Sequence, residues 1–104
     1  MTGNAKCEIY MEAIEQFGVR NQLDIAIEEM SELIKELCKA KRNFKNRDAI
    51  VEEVSDVLIC LEQIGLIFDI SEQEVDNYTD YKLTRLAERI KEAKNNGKFS
   101  ADGN

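Results

Sequence analysis

Residues 26–37 read AIEEMSELIKEL and residues 50–61 read IVEEVSDVLICL, and these two stretches decide the fold. At an offset of 24, Glu28 falls on Glu52, Glu29 on Glu53, Ser31 on Ser55, Glu32 on Asp56 and Leu37 on Leu61. Each copy has helical period. At about 100° per residue, Leu23, Ala26, Ile27, Met30, Leu33, Ile34 and Leu37 share one side of the first copy. Ile50, Val51, Val54, Val57, Leu58 and Leu61 share one side of the second. The periodicity predicts two amphipathic helices with these stripes turned to the core.

The acids keep the same place in both copies. Glu29 and Glu53 border their apolar stripes, and Glu32 and Asp56 follow three residues later on the same helix face. Two helices with this pattern present four carboxylates to a shared groove, which suits a hard cation held by oxygen, Mg²⁺ or Mn²⁺. Histidine is absent, so nothing points to zinc or a di-iron centre. The plain alternative is that these acids are the wet faces of two amphipathic helices. Two carboxylates about 5 Å apart repel by about 3 kcal/mol at an effective dielectric of about 20. Four facing inward would weigh on a domain stable by about 5–10 kcal/mol unless a divalent cation relieved them.

Working outward, 104 residues make one domain, able to bury roughly two-thirds of its unfolded surface. Hydrophobic residues are 43% and charged residues 34%, proportions that fit amphipathic helices, and proline is absent. The net charge of −7 argues against a nucleic-acid-binding surface but allows a nucleotide substrate, because bound metal reverses the local sign. Cys7, Cys38 and Cys60 have no ligand spacing and read as reduced thiols, small apolar core or flank residues of a cytoplasmic protein. No apolar run is long enough to span a bilayer.

In chain order, residues 1–6 are expected to be loose. A first helix covers Cys7 to Phe17, with Ile9, Tyr10, Ala13, Ile14 and Phe17 buried, and Gly18 ends it. The second runs from about Asn21 to Arg42. A basic connection, residues 41–47, reads as a solvated loop or as a phosphate-contacting rim, and is short enough to make the second and third helices antiparallel neighbours. The third runs from about Asp48 to Phe68. Ile59, Cys60 and Ile67, like Ile25 on the second helix, lie off the main stripe, which implies a second buried flank and a partner subunit. Ser71 and Glu74 have capping-box spacing, so a fourth helix starts there and runs through Val75, Tyr78, Leu83, Leu86 and Ile90 to about Asn95. Residues 98–104 are expected to be frayed. Lys82 lies inside the fourth helix's apolar stripe with Arg85 and Arg89 on its flank; it either snorkels to solvent or serves a bound polyphosphate. Tyr10, Phe17, Phe44 and Tyr78 are aromatic enough to wall a base pocket, though packing is their commoner use.

Glu28-Glu29-Met30-Ser31-Glu32 followed by Glu53-Val54-Ser55-Asp56 resembles the signature of the all-α nucleoside triphosphate pyrophosphohydrolases, the MazG-like group. The resemblance covers the second and third helices closely and the fourth loosely. It implies an all-α, four-helix, MazG-like bundle completed by homo-oligomerisation, as a homodimer or homotetramer. It also implies Mg²⁺ ligation by Glu29, Glu32, Glu53 and Asp56, and cleavage between the α- and β-phosphates to give a nucleoside monophosphate and pyrophosphate. Lys82, then Arg85, best match the family's phosphate-contacting basic residue. Glu28 and Glu52, one residue before each inner acid, are candidates for supporting the ligands or simply for solvent. Phosphoribosyl-ATP pyrophosphohydrolase resembles this family in fold and acids and is a rival within the enzyme class. A non-catalytic helical interaction module is the rival outside it.

Overall fold

The computed structural model describes residues 1–97, and the expected frayed end at 98–104 lies outside them. Every regular element among the described residues is a helix: α1 (Gly3–Phe17), α2 (Val19–Lys41), α3 (Arg47–Ile67) and α4 (Glu72–Asn95). The chain divides into two compact units, Met1–Ile70 with α1 to α3 and a second unit from Ser71 that contains α4. No helix among the described residues is long and apolar enough to cross a membrane.

The first helix begins at Gly3 rather than at Cys7. Thr2 supplies the reason, because its hydroxyl accepts the Ala5 amide at 3.1 Å and caps the helix before the expected loose start has ended. Gly18 stops α1 with φ 87°, a backbone conformation open to glycine, and its carbonyl accepts the Gln22 amide at 3.1 Å as α2 begins.

The ends of α2 and α3 close in the same way without glycine. Asn43 at φ 67° and Asp69 at φ 53° take the left-handed conformation. After α2 the Asn43 amide reaches the Ala40 carbonyl and the Phe44 amide reaches that of Lys39. After α3 the Asp69 and Ile70 amides reach the carbonyls of Leu66 and Gly65. These are Schellman closures, which satisfy carbonyls that the helix leaves open.

Helices α2 and α3 run antiparallel, as two distant hydrogen bonds require. Near the start of α2, Gln22 Oε1 accepts from Gln63 Nε2 at 2.9 Å in a buried position. Near its end, the Glu36 carboxylate and carbonyl accept from Asn46 Nδ2 at 2.8 and 2.9 Å. The short 42–46 connection makes this pairing the direct one.

The face by which α2 and α3 meet differs from the stripe centre that the periodicity predicts. Ala26 is buried and Leu23, Met30 and Leu33 are half-buried, but Ile27, Ile34 and Leu37 stay 67%, 61% and 47% exposed. On α3, Ile50 and Val57 are half-buried while Val51, Val54, Leu58 and Leu61 are exposed; Cys60 and Gln63 are buried instead. The helices pack along the acid-bearing edge of each stripe. Small side chains along that edge, Ala26, Ala40, Ala49 and Cys60, admit a close approach that the branched stripe centre would prop apart. Cys60 and Ile67, read as a flank for a partner, are therefore covered within the unit, whereas Ile25 and Ile59 remain open. On α1, Tyr10 is buried and Ala13 and Ile14 half-buried, but Ile9 and Phe17 face solvent. Cys7 and Cys38 are exposed free thiols rather than core residues.

The second unit begins with the capping box that the sequence predicts. The Glu74 amide donates to Ser71 Oγ at 3.1 Å, and the Ser71 amide donates to Glu74 Oε2 at 2.8 Å. That contact holds the Glu74 carboxyl below the ordinary glutamate range, the Ser71 amide being the main cause.

Candidate metal centre

Three of the four acids of the repeated motif converge. One carboxylate oxygen each from Glu29, Glu53 and Asp56 lies within 4.8 Å of the other two, and all three residues are half-buried. The convergence follows from the pairing just described. Antiparallel packing along the acid edge sets Glu29 on α2 opposite the i, i+3 pair Glu53 and Asp56 on α3.

Glu32 is half-buried one turn along α2 but stands outside that trio. Its charge nonetheless reaches Glu53, where it helps raise the carboxyl. Glu28 and Glu52 are exposed, and the Glu28 carbonyl accepts the Ser31 hydroxyl at 2.7 Å.

The electrostatics of the trio are those of negative groups held together without a counter-charge. Burial raises the Glu29 carboxyl above its ordinary value, followed by the Asp56 carboxylate beside it and then by Glu53 and Glu28. Burial also leads the rise at Glu53, with Asp56 next and Glu32, Glu52 and Glu36 after it. Glu53 Oε2 is buried and has no hydrogen-bond partner. A buried carboxylate oxygen without a hydrogen-bond partner is costly to leave unsatisfied. An all-oxygen donor set of this kind fits a hard divalent cation, so the residues present suit Mg²⁺ or Mn²⁺.

Two further groups border the trio, and the repeat does not single them out. Cys60, one turn beyond Asp56, is 3% exposed; burial raises its thiol first, and the Glu29 and Asp56 charges add to it. That keeps it protonated and inert beside the acids. Glu36, one turn beyond Glu32, is the opposite case. Asn46 is the main cause of its lowered carboxyl pKa, with Lys39 Nζ at 3.3 Å assisting. The i, i+4 step from Glu32 to Glu36 is visible in the sequence, but its meaning depends on Asn46, ten residues away across the connection.

Asn46 thus ties the loop before α3 to α2 and fixes where Glu53 and Asp56 begin. Replacing Asn46 with Ala is expected to lower the melting temperature by several degrees and to raise the Glu36 carboxyl pKa. Thermal melts and carboxylate NMR titration would read the two effects separately.

The basic connection borders an open cleft lined by Lys39, Phe44, Lys45 and Arg47 together with Glu36 and Asn46. Phe44 is exposed and lies under the Arg42 guanidinium, 5.7 Å from ring centroid to carbon. Lys82 and Arg85 belong to α4 in the second unit, where both are exposed. Arg85 stands 5.8 Å from the centroid of the Tyr81 ring.

Comparison of the chain with family models, with curated proteins and with solved structures gave no match.

Proposed function

We propose that the chain is a Mg²⁺-dependent nucleoside triphosphate pyrophosphohydrolase of the MazG-like kind, acting on an NTP or dNTP and working as a homodimer or homotetramer in the cytoplasm. Two observations carry this reading: one carboxylate oxygen each of Glu29, Glu53 and Asp56 lie within 4.8 Å of one another, and Glu53 also has a buried Oε2 without a hydrogen-bond partner. A carboxylate trio that is uncomfortable alone is suited to a ligand that is both cationic and bound to phosphate.

In this reading Glu29, Glu53 and Asp56 hold Mg²⁺, with Glu32 completing the negative field from one turn away. When bound, the ion supplies charge neutralisation at the triphosphate and an acidified water for in-line attack at the α-phosphorus. The chain's own part is to hold the carboxylates together and oriented. Packing of α2 against α3 fixes the side-chain origins, Asn46 and Gln22 lock the register, and Cys60 contributes a thiol with no competing charge. A carboxylate of the set would accept the attacking water's proton, since the chain has no histidine to do so. Lys82 and Arg85 are the cations assigned to the phosphates on the strength of the family pattern.

The test is a panel of canonical and modified NTPs and dNTPs, with phosphoribosyl-ATP included, incubated with the protein and Mg²⁺. Pyrophosphate and a nucleoside monophosphate are the expected products, lost on chelation. Orthophosphate and a diphosphate would reject cleavage between the α- and β-phosphates. No product from any substrate would reject the enzyme reading and favour a helical interaction module. Preference for phosphoribosyl-ATP would reassign the substrate within the same chemistry.

A further inference from the structure

Positive charge is gathered at one place in this acidic chain. Residues 39–47 hold five of its 14 basic residues, Lys39, Lys41, Arg42, Lys45 and Arg47, and no acid; the rest of the chain carries nine against 21 acids. Two of the five have a use within the fold. Lys39 and Lys41 occupy the last turn of α2, where cations suit the helix dipole, and Lys39 also pairs with Glu36 at 3.3 Å. Lys45 and Arg47 have no such use. They flank the start of α3, the end at which the dipole disfavours cations. Both are exposed, and neither has an ion-pair partner among the described residues. Asn46, at the N-cap position between them, adds to the imbalance. Its side-chain amide is spent on Glu36, which leaves α3 without a side-chain cap.

These groups border one open cleft of about 850 Å³ between the end of α2 and the first turn of α3, large enough for a ligand of nucleotide size. None of Glu29, Glu32, Glu53 and Asp56 lines it. Of the two acids that do, Glu36 is already engaged by Lys39 and Asn46, which leaves Asp48. Lys45 and Arg47 outnumber it, and Arg42 is held 5.7 Å over the Phe44 ring that lines the same cleft. We propose that this cleft is an anion site separate from the acid trio, and that it binds phosphate groups carrying at least two negative charges. The donors suit that chemistry. A guanidinium takes two phosphate oxygens at once, an ammonium takes another, and the start of a helix favours the same sign of charge. Phe44 is 60% exposed and sets a flat apolar surface beside the cations. The phosphate can therefore arrive free, as an inorganic polyphosphate, or on a nucleotide whose base stacks on that ring.

Backbone amide NMR of the full chain, titrated with inorganic tripolyphosphate and separately with ATP, both in EDTA, tests this without turnover at the trio. Saturable shifts are expected at residues 45–49. Lys45→Glu combined with Arg47→Glu is expected to weaken both ligands at least about 10-fold with helical circular dichroism retained, since both side chains are exposed. Lys45→Gln alone covers the case of a double variant that fails to fold, with a smaller loss in the same direction. Glu53→Gln is expected to leave both affinities within about twofold. Phe44→Ala identifies the source: ATP weakened alone means a nucleotide, neither ligand weakened means the polyphosphate itself, and either result supports the anion site. Shifts as large at Lys91 and Lys94 on α4 would be general attraction of anions to basic side chains and would overturn the proposal. Binding that the double variant keeps, or that Glu53→Gln removes, would overturn it equally, as would the absence of saturable shifts. None of these outcomes bears on hydrolysis at the trio, which needs Mg²⁺.

Discussion

Glu53→Gln is expected to lower Mg²⁺-dependent release of pyrophosphate by at least about 100-fold while raising the melting temperature of the metal-free chain. The two effects have one cause. Glu53 Oε2 is buried without a partner, and after burial the charges of Asp56 and Glu32 further disfavour the ionised form of the same carboxyl. The amide keeps the shape and removes the charge, so the strain of the metal-free site falls. With the ion bound, the amide offers only a neutral oxygen where an anionic ligand is needed. Asp56→Asn is expected to match it in activity, because Asp56 is the charge that both Glu29 and Glu53 feel. Glu28→Gln serves as the control, since Glu28 is exposed and its carboxylate lies outside the trio; turnover within about twofold of wild type is expected. Steady-state rates with pyrophosphate detection, beside melts in EDTA, read both arms. Unchanged turnover in Glu53→Gln would remove the catalytic role. A lower metal-free melting temperature would instead mean that Glu53 holds the fold together.

How far the site was legible in the sequence depends on which distances are local. Helical period and an offset of 24 can be read without any knowledge of the tertiary fold, and they place Glu29, Glu53 and Asp56 at matching edges of two apolar stripes. Glu72–Asn95 was legible to a residue because Ser71 and Glu74 write its start in a four-residue motif. The choice of packing face was not legible. A stripe of this width offers a centre and two edges to a neighbour, and small residues at one edge, Ala26, Ala40 and Cys60, decide between them only once the neighbour is known. The Glu36–Asn46 tie was hidden for the same reason, being a contact between a helix and the loop that follows it. The ends of α2 and α3 were legible to within a residue, at Arg42 and Phe68, but the left-handed closures at Asn43 and Asp69 that follow them were not. Lys82 and Arg85 could be read as cations on an amphipathic helix and no further, since periodicity does not set the distance from one helix to a site on two others.

The second large effect expected is that Mg²⁺ stabilises the protein far more at pH 7.5 than at pH 5, by an increment of about 2.7 kcal/mol at 100 times the dissociation constant and of order 10 °C in melting temperature. The sign follows from the direction of the shifts. Glu29 and Glu53 both have folded-state pKa values raised above the ordinary one. Below about pH 4.3 these groups are protonated in folded and unfolded chains alike and cost nothing. As pH climbs from there through the raised folded values, the unfolded chain has already released protons that the folded chain still holds. The metal-free protein therefore loses stability across that window and levels off above it. Glu36 and Glu74 run the other way: their pKa values are lowered, so their stabilisation is full above the ordinary value and fades only as pH falls through the lowered ones. The two contributions occupy different windows, and the metal-free melting temperature should peak near the ordinary glutamate pKa. Mg²⁺ needs the ionised trio, so it competes with protons at pH 5 and meets little competition at pH 7.5. Differential scanning fluorimetry over pH 4–8, with EDTA or MgCl₂ at matched ionic strength, separates the site from general screening of a chain with net charge −7. In Glu53→Gln the downward slope and the Mg²⁺ increment should shrink together, because both arise from the same uncompensated carboxylate. A metal-free melting temperature that stays flat from pH 4.5 to 8 would mean that the trio does not hold together in solution.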